Sequence, residues 1–197
     1  GWIGASNLSE RRLGSVGKPL AYHGLTTMTK DGKDLPAGEI GHIELGLEPE
    51  REFGYFTLDG TIDVTHKGRL RTGDIGYLDD DGYLFITGRS KDVIIRGGVN
   101  ISPVEIDQVI SQLSGVLEAA AVGVPDDIFG EEVVAYVVIQ TNSALDVLDI
   151  AKHCRTNLAS VKVPRSIQII DVLPKTDRGK LDRKALKELW LTSKADS

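Results

Sequence analysis

The sequence predicts an α+β fold in two parts: a β-rich part, then a compact domain of mixed helices and strands. Short strand-like runs separated by Gly- and Asp-rich turns dominate residues 1–88. From residue 93 to 197, amphipathic helical patterns alternate with apolar strand-like runs. The short polar segment 89–92 separates the two patterns, and we interpret it as a domain boundary and hinge.

The first part reads as all-β. Four runs have the alternating or β-branched character of strands, namely residues 24–30, 40–45, 70–78 and 83–87. Asp31–Gly32 and Asp79–Gly82 are turn sequences between them. Thr72–Gly73–Asp74 is expected to interrupt the third strand. Residues 48–67 show no clear period, so we expect an irregular, exposed stretch.

The second part predicts the order β-α-β-β-α-β-α. Strands are expected over residues 93–95, 116–124, 133–139 and 167–172, and helices over 102–113, 145–158 and 182–191. Ser102, Pro103 and Glu105 form the pattern of a helix start, with Ser as the N-cap and Glu completing a capping box. Asp182 is a plausible N-cap of the last helix.

Composition excludes several classes of protein. The 197 residues carry a formal net charge of −6, which argues against nucleic-acid binding, because phosphate contacts need a basic face. The single cysteine, Cys154, falls in a helical pattern, so we expect a buried thiol, a reducing compartment and a cytoplasmic location. The four histidines lack metal-ligand spacing, and we expect no metal ligand in the chain. No apolar run is long enough for a transmembrane segment, and the N-terminus does not resemble a signal peptide.

Two charged residues of the first part are candidate binding residues. Asp74 follows a glycine in the run Arg71–Asp74, and a carboxylate on such a turn can accept hydrogen bonds from both hydroxyls of a ribose. The alternative is an aspartate that caps a turn. Arg89 stands at the domain boundary, where its planar guanidinium can pair with Asp74 or contact ligand oxygens. The alternative is a surface charge cluster.

Two loops of the second part are also candidates. Gly97 and Gly98 let another backbone or a thin ligand approach closely, although a plain hairpin turn would use the same residues. Lys180 follows Gly179 in a basic, turn-prone loop. Its ammonium is a mobile point charge with three donors, suited to a phosphate or carboxylate oxygen. A solvated basic turn is the alternative.

The motifs become much more specific when they are taken together. In chain order they read RTGD, DDDGYL, GRSKDVIIRGGVNISPVEID, AAVGVPDDIFGEEVVAYVV, KVPRSI and PKTDRGKLDR. This series resembles the adenylate-forming superfamily, which contains acyl-CoA synthetases, the adenylation domains of nonribosomal peptide synthetases, and firefly luciferase. The resemblance extends from about Gly14 to Trp190 and is strongest to acyl- and aryl-CoA ligases.

The resemblance implies a reaction in two steps. A carboxylic acid and ATP give an acyl-adenylate and pyrophosphate, with Mg²⁺ bound by a ligand outside this chain. A thiol, that of CoA, then takes the acyl group and releases AMP. By motif position Lys180 is the catalytic lysine, Asp74 binds the ATP ribose, Arg89 supports it and contacts the nucleotide, and Lys91 is the hinge.

The resemblance also implies a binding site for CoA in the second part. Gly97 and Gly98 would line the pantetheine tunnel. Phe129 and Arg165 match the positions that stack the CoA adenine and hold its phosphate in related ligases.

The chain lacks other motifs of the family. The family's Gly/Ser/Thr-rich phosphate loop is missing, and so is the Thr-Glu segment that supplies a magnesium ligand. The acyl pocket of the family belongs to the same missing part. His66–Arg69 replaces the aromatic residue that is commoner before RTGD. We therefore expect a C-terminal fragment of an acyl-CoA synthetase, inactive alone, whose partner is the missing N-terminal part. The residues do not identify the acid. The alternatives are an adenylation domain that acylates a carrier protein, and a non-catalytic binding or assembly module with a decayed site.

Overall fold

The computed structural model describes residues 4–5, 12–19, 25–28, 32–46, 52–56, 59, 62–67 and 69–195. Within it the chain divides into two units, Gly1–Lys91 and Asp92–Ser197. The boundary falls inside a single turn of 3-10 helix, Ser90–Asp92.

The described part of the first unit is built from antiparallel strands. A four-stranded sheet has the order β3 (Leu25–Met28), β4 (Gly41–Gly46), β7 (Arg69–Leu78) and β8 (Leu84–Arg89). Two short pairs accompany it: β1 (Gly4–Ala5) with β2 (Lys18–Pro19), and β5 (Glu52–Phe56) with β6 (Ile62–Lys67). Ile43 and Leu84 are fully buried between the strands. The predicted all-β character of this part is confirmed.

The turn between β7 and β8 follows from its sequence. Asp79 accepts backbone hydrogen bonds from Asp81 and Tyr83 at 3.1 and 2.8 Å, and Gly82 takes a positive φ of 78°. An aspartate that bonds to the backbone two residues ahead is the usual start of such a turn. The turn joins the end of β7 to the start of β8, so that the two strands pair as a hairpin.

Two expectations for this unit are wrong. Within residues 48–67, the described segments 52–56 and 62–67 are not irregular but form β5 and β6, whose aromatic and β-branched residues favour sheet. The register of this pair shifts between Phe53 and Tyr55. Strand β7 is also not interrupted at Thr72–Gly73–Asp74. Gly73 adopts a φ of 80° inside it, and the pairings with β4 and β8 contain register shifts, so the strand absorbs the distortion.

The second unit is a five-stranded sheet with helices on both faces. Strand β12 (Gly130–Ile139) pairs along one edge with β11 (Val116–Asp126). Its other pairings are with β9 (Ile94–Arg96) at Gly130 and, in parallel, with β13 (Ser166–Ile169). Strand β10 (Val99–Ile101) continues the sheet beyond β9, which leaves β11 as an edge strand.

The near-continuous apolar runs of β11 and β12 divide between two cores, because successive side chains point to opposite faces. The core on one face packs under α1 (Pro103–Ser111) and α2 (Val147–Asn157), and it includes Cys154, which is buried as expected. The core on the other face packs under α3 (Arg183–Ala195). There the Tyr136 hydroxyl donates to the Leu186 carbonyl at 3.2 Å, and burial raises the pKa of Tyr136.

The three helices begin in different ways. Ser102 makes no side-chain capping bond at α1, so the predicted capping box is wrong; Glu105 instead binds Lys162 Nζ at 2.7 and 2.8 Å. Helix α2 has the capping box that sequence reading missed, between Asp146 and Asp149. At α3 the Asp182 carboxylate accepts two backbone N–H bonds at 3.1 Å, so the predicted N-cap is confirmed.

Candidate functional site

Asp74 and Arg89 lie opposite each other on β7 and β8. Arg89 Nε is 3.3 Å from Asp74 Oδ1, and the two side chains are 56 % and 25 % exposed. The sequence-based expectation that these two residues can pair is therefore met in the structure. The pair holds the Asp74 carboxylate on the sheet while leaving part of it accessible.

Thr72 fixes the backbone at Asp74. Its hydroxyl donates to the Ile43 carbonyl of β4 at 2.9 Å and accepts from the Asp74 N–H at 3.1 Å. Next to it, Arg71 pairs across the strands with the buried Glu44, at 2.7 Å. Sequence reading missed Thr72 and Glu44. Thr72 lies inside the RTGD motif, but nothing in the sequence indicated that its hydroxyl would bind the Ile43 carbonyl. Nothing indicated the pairing of Glu44 with Arg71 either.

Gly97 and Gly98 form the turn between β9 and β10, with φ values of 56° and 83°. An L side chain rarely adopts this region, so glycine is favoured at both positions. The Gly97 N–H donates to the Phe129 carbonyl at 2.8 Å. A Cβ on Gly97 would lie 3.4 Å from the Phe129 ring, whereas one on Gly98 would meet nothing within 4 Å. The glycine turn thus lies against Phe129 on one side and is open on the other.

Asp126 connects Phe129 with Arg165. One carboxylate oxygen accepts the N–H groups of Ile128 and Phe129, each at 3.0 Å. The other is 2.9 Å from Arg165 Nη1. Backbone hydrogen bonds from Phe129 and Ile128, with a further contribution from Arg165, lower the pKa of Asp126. Phe129 stays 43 % exposed, and the Arg165 side chain is 67 % exposed.

Arg96 packs against the same group of residues. Its guanidinium carbon lies 4.8 Å from the centre of the Phe129 ring. It binds the Val161 carbonyl at 3.0 Å and pairs with the buried Glu132, where Nε is 2.6 Å from Oε1. The structure therefore brings the predicted CoA-binding residues Gly97, Phe129 and Arg165 into one cluster. Sequence reading missed Arg96, although it directly precedes Gly97.

Lys180 lies on a different loop, Pro174–Asp182. The loop is closed at its base by a hydrogen bond from the Asp182 N–H to the Pro174 carbonyl, at 2.9 Å. Within it, the Thr176 N–H donates to the Lys180 carbonyl at 2.7 Å, and Gly179 has a φ of 72°. Lys180 itself is exposed. The loop fixes the Lys180 backbone while its ammonium faces solvent.

Lys91 lies in the 3-10 turn Ser90–Asp92, which contains no buried residue. Arg89, which the sequence placed in the hinge, is the last residue of β8. Among the described residues, no group of three or more His, Cys, Asp or Glu side chains is arranged to hold a metal ion. No helix in that part of the chain is long and apolar enough to span a bilayer.

The chain is similar to known proteins over nearly its whole length. Residues 105–180 match the family model "AMP-binding enzyme C-terminal domain". Sulfoacetate–CoA ligase of Cupriavidus necator is 44 % identical over 175 residues, which are 88 % of this chain and 34 % of that protein. 2-Succinylbenzoate–CoA ligase of Listeria monocytogenes serotype 4b is 48 % identical over 180 residues, 90 % of this chain and 35 % of that protein.

The fold shows the same relationship. The crystal structure of ATP-bound MatB from Rhodopseudomonas palustris has a TM-score of 0.80 and 34 % identity, covering 90 % of this chain and 36 % of that one. The chain belongs to the adenylate-forming superfamily and corresponds to the C-terminal region of its acyl-CoA ligases. It spans about a third of the length of the relatives it matches.

The hydrogen bonds and the ion pair of Asp126 can be tested by titrating the Asp126 carboxyl group. Its lowered pKa means that the ionised carboxylate is favoured in the folded state. Its contribution to stability should therefore be present above the unfolded pKa of about 3.9 and be lost as the pH falls through the lower folded value. Carbon-detected NMR titration of the carboxyl groups measures the folded pKa directly.

Replacing Arg165 with Met separates the causes of this shift. The pKa of Asp126 should rise but stay below about 3.9, because the two backbone N–H groups remain. A return to the ordinary value in Arg165→Met would mean that the arginine alone lowers it. The exposed Arg155→Met is the matched control and should leave the Asp126 pKa unchanged.

Proposed function

We propose that this chain is the catalytic C-terminal part of an ATP-dependent acid–thiol ligase. In the first step the substrate carboxylate attacks the α-phosphorus of ATP, giving an acyl-adenylate and releasing pyrophosphate. In the second step the CoA thiolate attacks the acyl carbon, giving the thioester and releasing AMP. The observation that carries the proposal is an exposed lysine on a loop of fixed backbone, in a fold shared with CoA ligases.

Lys180 is assigned to the first step. Negative charge lies on both the attacking carboxylate and the α-phosphate, and it repels the two reactants in the ground state. An ammonium placed between them offsets this repulsion and stabilises the charge that develops on the phosphate oxygens. Mg²⁺, held by a ligand outside this chain, would neutralise charge on the released pyrophosphate.

Asp74 and Arg89 are assigned to the nucleotide. The two oxygens of Asp74 suit the two hydroxyls of a ribose, and the ion pair with Arg89 holds the carboxylate in a fixed orientation. Lys91 is assigned to the hinge between the two steps. The short turn in which it lies contains no buried residue, so few contacts oppose a change in its backbone angles.

The cluster of Gly97, Gly98, Phe129 and Arg165 is assigned to CoA. The open side of the glycine turn leaves room for a thin chain such as pantetheine. Arg96 covers one face of the Phe129 ring, and the residue remains partly exposed for stacking on an adenine. Arg165 keeps most of its side chain in solvent, where its fork can bind a phosphate.

Replacing Lys180 with Ala tests the first assignment, in a full-length ligase that carries this chain. Adenylation, followed by pyrophosphate exchange, should fall about 10²-fold or more, as for loss of a main electrostatic stabiliser. Transfer from preformed adenylate to CoA should fall much less. The exposed Lys184→Ala on α3 is the control of equal charge. Equal losses in both half-reactions of Lys180→Ala would remove Lys180 from this role.

Replacing Phe129 with Ala distinguishes CoA from a carrier protein as the acceptor. Stacking on a base contributes about 1–3 kcal/mol, so the KM for CoA should rise about tenfold or more. The KM for pantetheine, which has no adenine, should stay the same. The exposed neighbour Ile128→Ala is the control. If the KM for CoA is unchanged and a carrier protein is the better substrate, the acceptor is a carrier protein.

The chain by itself should bind ATP weakly and form no thioester. Asp74 and Arg89 supply a few hydrogen bonds, each contributing roughly 0.5–3 kcal/mol net. Association costs roughly 4 kcal/mol or more, and the chain contains no glycine-rich phosphate loop. We expect a Kd in the millimolar range, about −4 kcal/mol, by calorimetric titration with ATP and Mg²⁺. A low-micromolar Kd would indicate a complete site in this chain.

A further inference from the structure

Two charged side chains bind the backbone of the edge strand β11 at Ala121. The Ala121 N–H donates to Asp107 Oδ1 of α1 at 2.6 Å. The Ala121 carbonyl accepts from Arg183 Nη1 of α3 at 2.6 Å. Because no strand of the described residues pairs with β11 on this side, the two side chains satisfy backbone groups that a further strand would otherwise bind.

Asp107 and Arg183 also bind each other. Arg183 Nη2 lies 2.5 Å from Asp107 Oδ2, and the two side chains are only 14 % and 16 % exposed. The three groups therefore form a closed ring in which each residue contacts the other two. The ring joins α1, which covers one face of the sheet, to the first residue of α3, which covers the other.

This ring anchors the chain shortly after the Lys180 loop. Arg183 follows Lys180 by three positions, directly after Asp182, which closes the loop at Pro174. A second contact ties the other side of the loop to the same strand, since Lys175 Nζ lies 3.0 Å from Glu118 Oε1 of β11. The Lys175 pair is about 40 % exposed, so it holds the loop less firmly than Arg183 does.

We propose that Arg183 is a positioning residue for the adenylation step. It contacts no reacting atom; it sets the place of the Lys180 backbone by anchoring the end of the loop to β11 and to Asp107. This inference rests on the proposed function of Lys180. It adds to that function a residue whose effect should appear only through Lys180.

Arginine is the residue type that this position requires. Its planar fork donates to a carbonyl and a carboxylate at the same time in a fixed geometry. Lysine has a single nitrogen and can satisfy only one of the two well. Arg183→Lys should therefore restore part of what Arg183→Met loses.

The test is a double-mutant cycle in the full-length ligase. Arg183→Met should lower the kcat of adenylation about 10- to 100-fold, as for a displacement of about 1 Å of a catalytic group. The KM for ATP should change less than about twofold, since Asp74 and Arg89 are untouched. In the Lys180→Ala background, Arg183→Met should cause almost no further loss, because the residue through which it acts is gone.

The cycle separates the inference from the proposed function. If Lys180→Ala leaves adenylation unchanged, the proposed role of Lys180 fails. If Lys180→Ala is slow and Arg183→Met is as fast as the parent, only the inference fails. Losses that multiply in the double variant would also overturn it, since Arg183 would then act independently of Lys180.

A loss of stability must be told apart from a loss of position, because Arg183→Met leaves the largely desolvated Asp107 carboxylate, 16 % exposed, without its cation. Asp107→Asn/Arg183→Met removes that charge and keeps an oxygen for the Ala121 N–H. This double variant should recover much of the melting temperature and remain slow in adenylation. Recovery of both would overturn the inference. Lys184→Met, exposed and adjacent to Arg183, is the control and should match the parent in both measurements.

Discussion

Burial of the second unit's sheet on both faces constrains the rest of this structure. Strands β11 and β12 are apolar on both faces, with α1 and α2 on one face and α3 on the other. Neither face can hold polar groups without a large desolvation cost. The polar candidate residues of this unit therefore lie at the edges of the sheet and at the ends of its strands. The glycine turn after β9, the turn between β11 and β12, and the Lys180 loop beyond β13 all lie there.

Each group of candidate residues is supported by a carboxylate that is at most 16 % exposed and pairs with an arginine. The three pairs are Glu44–Arg71, Glu132–Arg96 and Asp107–Arg183. Along the chain, their arginines lie within three positions of Asp74, Gly97 and Lys180 respectively. A buried ion pair contributes little to stability, since desolvation offsets most of its Coulomb energy. The planar guanidinium does fix orientation, since it donates in fixed directions. We interpret the three pairs as supports that orient the exposed residues, not as main sources of stability.

The sequence predicted several parts that depend on local rules, although it did not predict how α1 and α2 are capped. The Asp79–Gly82 hairpin, the Asp182 cap and the burial of Cys154 follow from turn chemistry, capping and helical period, and all are present. The supports were not predictable in this way. Asp107 and Arg183 are 76 positions apart, and only the crossing of α1, β11 and α3 brings them together. The β5–β6 pair was missed for a local reason: its register shifts between Phe53 and Tyr55, and such a shift disturbs the alternation on which strand prediction depends.

The Lys180 loop combines a hydrogen-bonded backbone with an exposed lysine side chain. Ordering a residue's backbone costs about 1–2 kcal/mol, and ordering a lysine side chain costs at most about 2 kcal/mol. Hydrogen bonds within Pro174–Asp182 and the anchor at Arg183 meet the backbone cost during folding. In the proposed function, only the side-chain cost of Lys180 would remain to be met on binding an anionic group. A lysine on an unanchored loop would need the whole loop to be ordered in the same step, and much of the electrostatic gain would be lost to entropy.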